Sequence, residues 1–208
     1  MGVIQRVTKS IVDPETLQVN VPYYLTGPQK EALRQALKDF PRRIDYYQRT
    51  PEGDLGILQG DGWTKFVIVN FFSGTQKEVR GIILSNSCDI DPNNRRDNPP
   101  NIVFAPLVRL VDYKSILINS GVSEERIASQ FQSIKEQSVT NIFYLPRGAT
   151  LHEECIAILD DLHTIPGDYF LKLDGKVRLF TLSMYGFYLF LLKLSIHFCR
   201  FQEALGRD

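Results

Sequence analysis

The residues best suited to chemistry lie between positions 80 and 109. Cys88 and Asp89 close the stretch SNSCD at the end of the apolar run Gly81 to Leu84. A cysteine nucleophile needs a base within hydrogen-bond reach and donors for the developing oxyanion. His152, His163 and His197 are the three histidines available as base, and Asp89 or Asp91 would orient the ring. The competing reading is structural and weighs more. Cysteine usually packs as a small hydrophobe, so Ser85, Ser87 and Asp89 would satisfy the loop backbone while Cys88 packs inward.

Arginines offer a second chemistry. Cleavage at an RNA 2′-hydroxyl needs a base, an acid and positive charge on the non-bridging oxygens. Arg80 at the head of one strand, Arg95 and Arg96 in the loop, and Arg109 at the end of the next strand would have to converge. Tyr46, Tyr47 and Trp63 would stack bases. The plainer alternative is a set of solvated arginines on loops. For metal, HEEC spaces His152 and Cys155 like ligands, with Cys88 as a third. Structural zinc takes four ligands in paired spacings, and this chain supplies one pair, so neither a metal nor another cofactor is expected.

These residues must be held by a framework of short strands. TKFVIVNFF, SGTQK and EVRGIILSNS read as strand, turn and returning strand. DIDPNNRRDNPP (89–100) is a loop by composition. NIVFAPLVRL is the next strand, with Pro106 marking an edge or a bulge. Two helices broken at Gly121 follow, the second opened by Ser123 and striped by Ile127, Phe131 and Ile134. VTNIFYLPR, EECIAILDDLHTI and GKVRLFTLS return to strand. Upstream, LTGPQKEALRQALKDFP is a helix with Pro28 near its start and Pro41 at its end. A last helix runs from Met184 to about Ala204. The organisation is therefore an N-terminal arm and helix (1–50), an antiparallel barrel with a helical insertion at 112–138 (51–183), and a C-terminal helix (184–208). The fold class is α+β, a small antiparallel β-barrel with appended helices.

Composition narrows the function classes. At 208 residues with 43% hydrophobic content the chain can bury a real core. Lys plus Arg and Asp plus Glu are both 24, so nucleic-acid binding would need a local patch. No DNA partner is expected. Three separated cysteines make no disulfide framework, which points to a reducing cytoplasm. The uncharged run from Leu179 to Leu192 is 14 residues, short of the roughly 20 that a membrane span needs. It fits a buried helix or an interface for a protein partner or a second copy of the chain. No phosphate-binding glycine loop is present.

QGDGWTKFVIVNFFSGTQKEVRGIILSNS resembles the opening of the MazF/PemK/CcdB toxin barrel, with Gly60, Asp61, Arg80, Leu84 and Ser85 in register, and IVFAPLVRL resembles the family's next strand. The resemblance covers residues 58 to 110 and implies an SH3-like barrel. In the family's ribonucleases, the arginine opening the second strand and a threonine ending the third carry catalysis. Arg80 matches the first, while Val108 stands at the second and cannot donate a proton. The wider pattern S-x-S-C-D-I, AP, YLP, DDL is similar to bacterial proteins encoded near phage or mobile elements. That implies a toxin–antitoxin or antiviral defence setting. The expectation is a binding or regulatory module acting through RNA or a protein partner. One alternative is a metal-independent endoribonuclease using Arg80, and another is a Cys88-dependent enzyme with Asp89. Arg95, Arg96, Arg109 and Trp63 are the expected binding residues.

Overall fold

The structure is a computed structural model that describes residues 46–49, 56–94 and 97–198. The expected N-terminal helix lies outside the described residues, as do Arg95 and Arg96. The hairpin is formed by β1 (Gly62–Val69) and β2 (Gln76–Ile83). Its turn is built by Asn70, whose Oδ1 accepts from the amides of Phe72 (2.9 Å) and Ser73 (3.2 Å). Asn70 also closes the loop through its backbone, with N–H to Thr75 O and C=O from Gly74 N–H. A bulge between Trp63 and Phe66 puts Lys65 at φ 69° and strengthens the local twist.

From β2 the chain makes one helical turn, α1 (Ser87–Ile90), and then enters β3 (Asn101–Arg109). Next come α2 (Leu110–Asn119) and α3 (Glu124–Lys135), separated by Gly121 at φ 76°. The remaining strands are β4 (Ile142–Leu145), β5 (Cys155–Ile158), β6 (His163–Pro166) and β7 (Arg178–Phe180). The short helix α4 (Gly167–Lys172) precedes β7, and α5 (Met184–Phe198) follows it. The sheet is antiparallel throughout, in the order β4-β5-β3-β2-β1-β7. β5 and β6 are one strand broken at 159–162, both on the edge of β3 opposite β2. Pro106 falls where that edge passes from β6 to β5, so its missing N–H leaves no gap in either ladder.

The expected closed barrel is not what forms. β1 and β6 curl to within 8 Å Cα to Cα but do not pair, and the seven-stranded sheet stays open. The reason is visible at β7. Gln48 N–H bonds Thr181 O, Tyr47 bridges Leu182, and Thr150 donates to Leu179 O. Residues 46–48 and the 146–151 loop thus occupy the edge that a closing strand would need.

Strand alternation divides the core in two. One face carries Ile82, Ala105, Leu107, Cys155, Ala157 and Phe143 and packs against Leu189, Phe190 and Leu192 of α5. The other face packs Phe66, Ile83, Phe104 and Ile165 around Phe170 of α4, and Val108, Ile142, Tyr144 and Ile156 under Leu110 and Ile134 of α2 and α3. Much of the apolar character of the last helix is therefore spent inside the chain. Gly186 lets α5 approach closely, since a Cβ there would lie 2.4 Å from Tyr46 O. No helix among the described residues is long and apolar enough to cross a membrane.

Candidate functional site

Arg80 and Arg109 are brought to the same end of the same sheet face. Arg80 shares its side of β2 with Ile82, and Arg109 shares its side of β3 with Leu107; Ile82 and Leu107 both belong to the core under α5. Cys155, buried and paired with Arg109 across the sheet, lies beneath them. Arg109 ends β3 and braces the first turn of α2 through a forked contact. Its Nε donates to Asp112 Oδ2 and its Nη2 to Asp112 Oδ1, each at 2.6 Å. Its Nη1 lies 3.6 Å from Glu153 Oε1. These carboxylates answer the charge of Arg109, whereas half-buried Arg80 has no ion-pair partner among the described residues.

The electrostatics follow from this geometry. The Asp112 carboxyl is held below its ordinary range, first by the hydrogen bonds from Arg109 and then by the charges of Arg109, Arg80 and Lys77. Burial pushes the Cys155 thiol up, against the pull of Arg80 and Arg109. Val108 packs under α2 and α3, on the opposite side of the sheet from Arg80. A side chain at 108 therefore cannot reach a phosphate held on Arg80.

SNSCD caps itself through Asn86, while Ser85 and Ser87, expected to satisfy the loop, serve β3 and Gln59 instead. Ser85 Oγ accepts from Val103 N–H (2.7 Å), Ser87 Oγ accepts from Gln59 N–H (2.9 Å), and Asn86 Oδ1 caps Cys88 N–H (2.9 Å). Cys88 is exposed and does not pack inward. In a single turn only one side faces the core, and Ile90 takes it. Asp89 is exposed beside it. His163 is engaged with Asp161 at 2.9 Å and His197 with Asp160 at 3.1 Å. Among the described residues no group of three or more His, Cys, Asp or Glu is arranged to hold a metal.

Trp63 and Tyr46, read as base-stacking rings, are both buried. Arg178 lies 4.8 Å over the Trp63 ring, and its Nε is 3.3 Å from Oδ2 of fully buried Asp61. Burial raises the Asp61 pKa, while Arg178, Thr181 and Trp63 oppose the rise. Thr181 Oγ1 and Trp63 Nε1 nevertheless fall outside hydrogen-bond geometry with Asp61.

A second buried polar centre had only one sequence signal, the lysine that interrupts the apolar run. Lys193 is fully buried in α5 and donates to Gln137 O at 2.6 Å. Gln137 ends α3 in the left-handed region (φ 57°), with its N–H bonded to Ile134 O. Its side chain brackets the Tyr144 backbone, accepting from N–H (3.1 Å) and donating to C=O (2.7 Å), and it also reaches Tyr46 OH (3.2 Å). An ammonium at a helix C-terminus is favourably placed for the helix dipole. Burial alone nevertheless lowers the Lys193 pKa to about 7.

No protein-family model matches the chain, and no curated protein is significantly similar to it.

Proposed function

We propose that the chain is a binding or regulatory module with a toxin-like sheet, working in a bacterial toxin–antitoxin or phage-defence setting. Arg80 would hold an RNA phosphate, or an acidic group on a protein partner, without cleaving it. The observation that carries this reading is that Arg80 and Val108 face opposite sides of the sheet. Cleavage needs acid, base and cation around one phosphate. Here a guanidinium with no ion-pair partner among the described residues stands beside one whose charge is already answered by Asp112 and Glu153. An arginine with no ion-pair partner among the described residues, on an electroneutral chain, suits recognition of a single phosphate or carboxylate more than broad, nonspecific RNA binding.

The test is anisotropy with labelled single-stranded RNA, read together with RNA integrity and growth of a bacterial host expressing the chain. Intact bound RNA, normal growth and roughly tenfold or greater weakening by Arg80→Ala are expected, from the loss of charge-assisted hydrogen bonds. Growth arrest with cut RNA, relieved by Arg80→Ala, would establish the endoribonuclease alternative instead. That alternative draws its support from the guanidinium of Arg80, which has no ion-pair partner among the described residues.

A further inference from the structure

Two apolar features stand in solvent. The hairpin turn presents Phe71 and Phe72 at 93% and 104% exposure, on a loop already closed by Asn70. Helix α2, LVDYKSILIN, has six apolar residues among ten and buries only Leu110. Val111, Ile116 and Ile118 are all more than half exposed, and Val111 and Ile118, seven residues apart, share a face. The two features lie at the same end of the sheet: β2 runs antiparallel to β3 with Gly81 opposite Pro106, so the hairpin turn before Gln76 and helix α2 after Arg109 both leave the sheet at that end.

We propose that this end is a self-association surface, on which the Phe71–Phe72 tip of one copy packs against the Val111–Ile118 face of α2 in a second copy, and the reverse. A two-fold interface is self-complementary by construction. A chain carrying both an apolar knob and an apolar helical face satisfies both in one such contact. The size also fits. Two exposed phenylalanines and the α2 side chains amount to roughly 400–600 Å² of apolar surface per copy. A standard interface buries roughly 800 Å² per partner, so the patches supply an apolar centre and leave Lys77 and Asp112 for a polar rim. Charge argues against the other occupants. Lys65 on the hairpin is paired with Glu78 at 2.8 Å and the turn residues themselves are uncharged, which leaves Lys77 and Lys114 as the exposed lysines of the two features, a thin positive charge for a nucleic-acid backbone or an anionic lipid surface. The proposal does not rest on the reading of Arg80.

Sedimentation velocity on the full chain tests it. The native chain is expected to dimerise. The tip variant Phe71→Ser/Phe72→Ser and the helix variant Val111→Ser/Ile118→Ser should each raise the dimer dissociation constant by roughly 100-fold or more, with a melting temperature that matches the native chain's at concentrations where all are monomeric, because all four residues are exposed. Mixing the two variants should restore part of the dimer, since one tip-on-helix contact survives in the mixed pair. A monomeric native chain, or a tip variant that dimerises normally, overturns the proposal. So do open-ended oligomers, and so does loss of the dimer through Met184→Ser/Phe198→Ser alone. Tip-dependent binding of a monomeric chain to phosphatidylcholine–phosphatidylglycerol vesicles would reassign the knob to lipid.

Discussion

Replacing Lys193 by Met should make the protein more stable at neutral and acidic pH and slightly less stable at high pH. The lysine has an ordinary pKa of 10.5 and is lowered to about 7 in the fold by burial. Above pH 10.5 both folded and unfolded chains carry the neutral amine, and its stabilising hydrogen bond to Gln137 O is fully available. Between 10.5 and about 7 the unfolded chain takes up a proton that the folded chain refuses, so stability falls as pH falls. At about 1.4 kcal/mol per pH unit, the span amounts to roughly 5 kcal/mol lost by pH 7, with little further change below. Methionine has similar length and no charge, and it leaves the Gln137 carbonyl without its donor at a cost of about 1–2 kcal/mol. The net is a gain of about 3 kcal/mol at pH 6 and a loss of about 1 kcal/mol near pH 10. Urea denaturation of both proteins across this range reads it directly. Comparing the two proteins removes the buried tyrosines, whose raised pKa values lower stability as pH climbs past 10. A difference that is independent of pH, or a variant less stable at pH 6, would refute the claim that burial dominates over the helix-end carbonyl.

Gly81→Ala should be destabilising by about 1–3 kcal/mol through overpacking. Its Cβ would stand 2.7 Å from Phe66 Cδ2 and 2.9 Å from Phe104 Cδ2, two rings already stacked at 4.1 Å; a thermal melt measures the loss. In a Cys199→Ser background, Cys88 should react with a thiol reagent in the native protein and Cys155 only after unfolding, because one is exposed and the other buried. Cys88→Ser should leave folding and RNA or partner binding intact. A dead but folded serine variant would put the cysteine-enzyme reading in the lead.

The β1–β2 hairpin was legible because short runs rich in Val, Ile and Phe around a Gly-containing turn are local signals. The α2–α3 pair was legible for the same reason, with Gly121 and Ser123 at the break. Helix α4 was missed: GDYFLK is six residues long and directly follows the Pro166 that ends a strand. The break between β5 and β6 was missed as well, although Asp160 and Asp161 mark it, because both halves lie along the same edge of β3. The open sheet could not be read either. It depends on residues 46–48 and 146–151 reaching the β7 edge, and no local pattern encodes which distant segment will occupy an edge.

For the site, residue types were readable and facing was not. Arg80 and Arg109 could be singled out as charged residues flanking apolar runs, although Arg80 lies inside β2 and not at its head; that they share a face, and that Val108 does not, follows from strand register. Cys88 pointed outward because Ile90 claimed the inward side of a single turn. Lys193 could be seen interrupting an apolar helix, but its partner Gln137 lies 56 residues away. Sequence by itself determined the strands, the turns, the broken helix pair and the stock of reactive groups, because those depend on neighbours within a few residues. Tertiary structure alone decided which groups meet, which are buried and which apolar surfaces remain in water. Those outcomes depend on chain segments far apart in sequence competing for the same edges and faces.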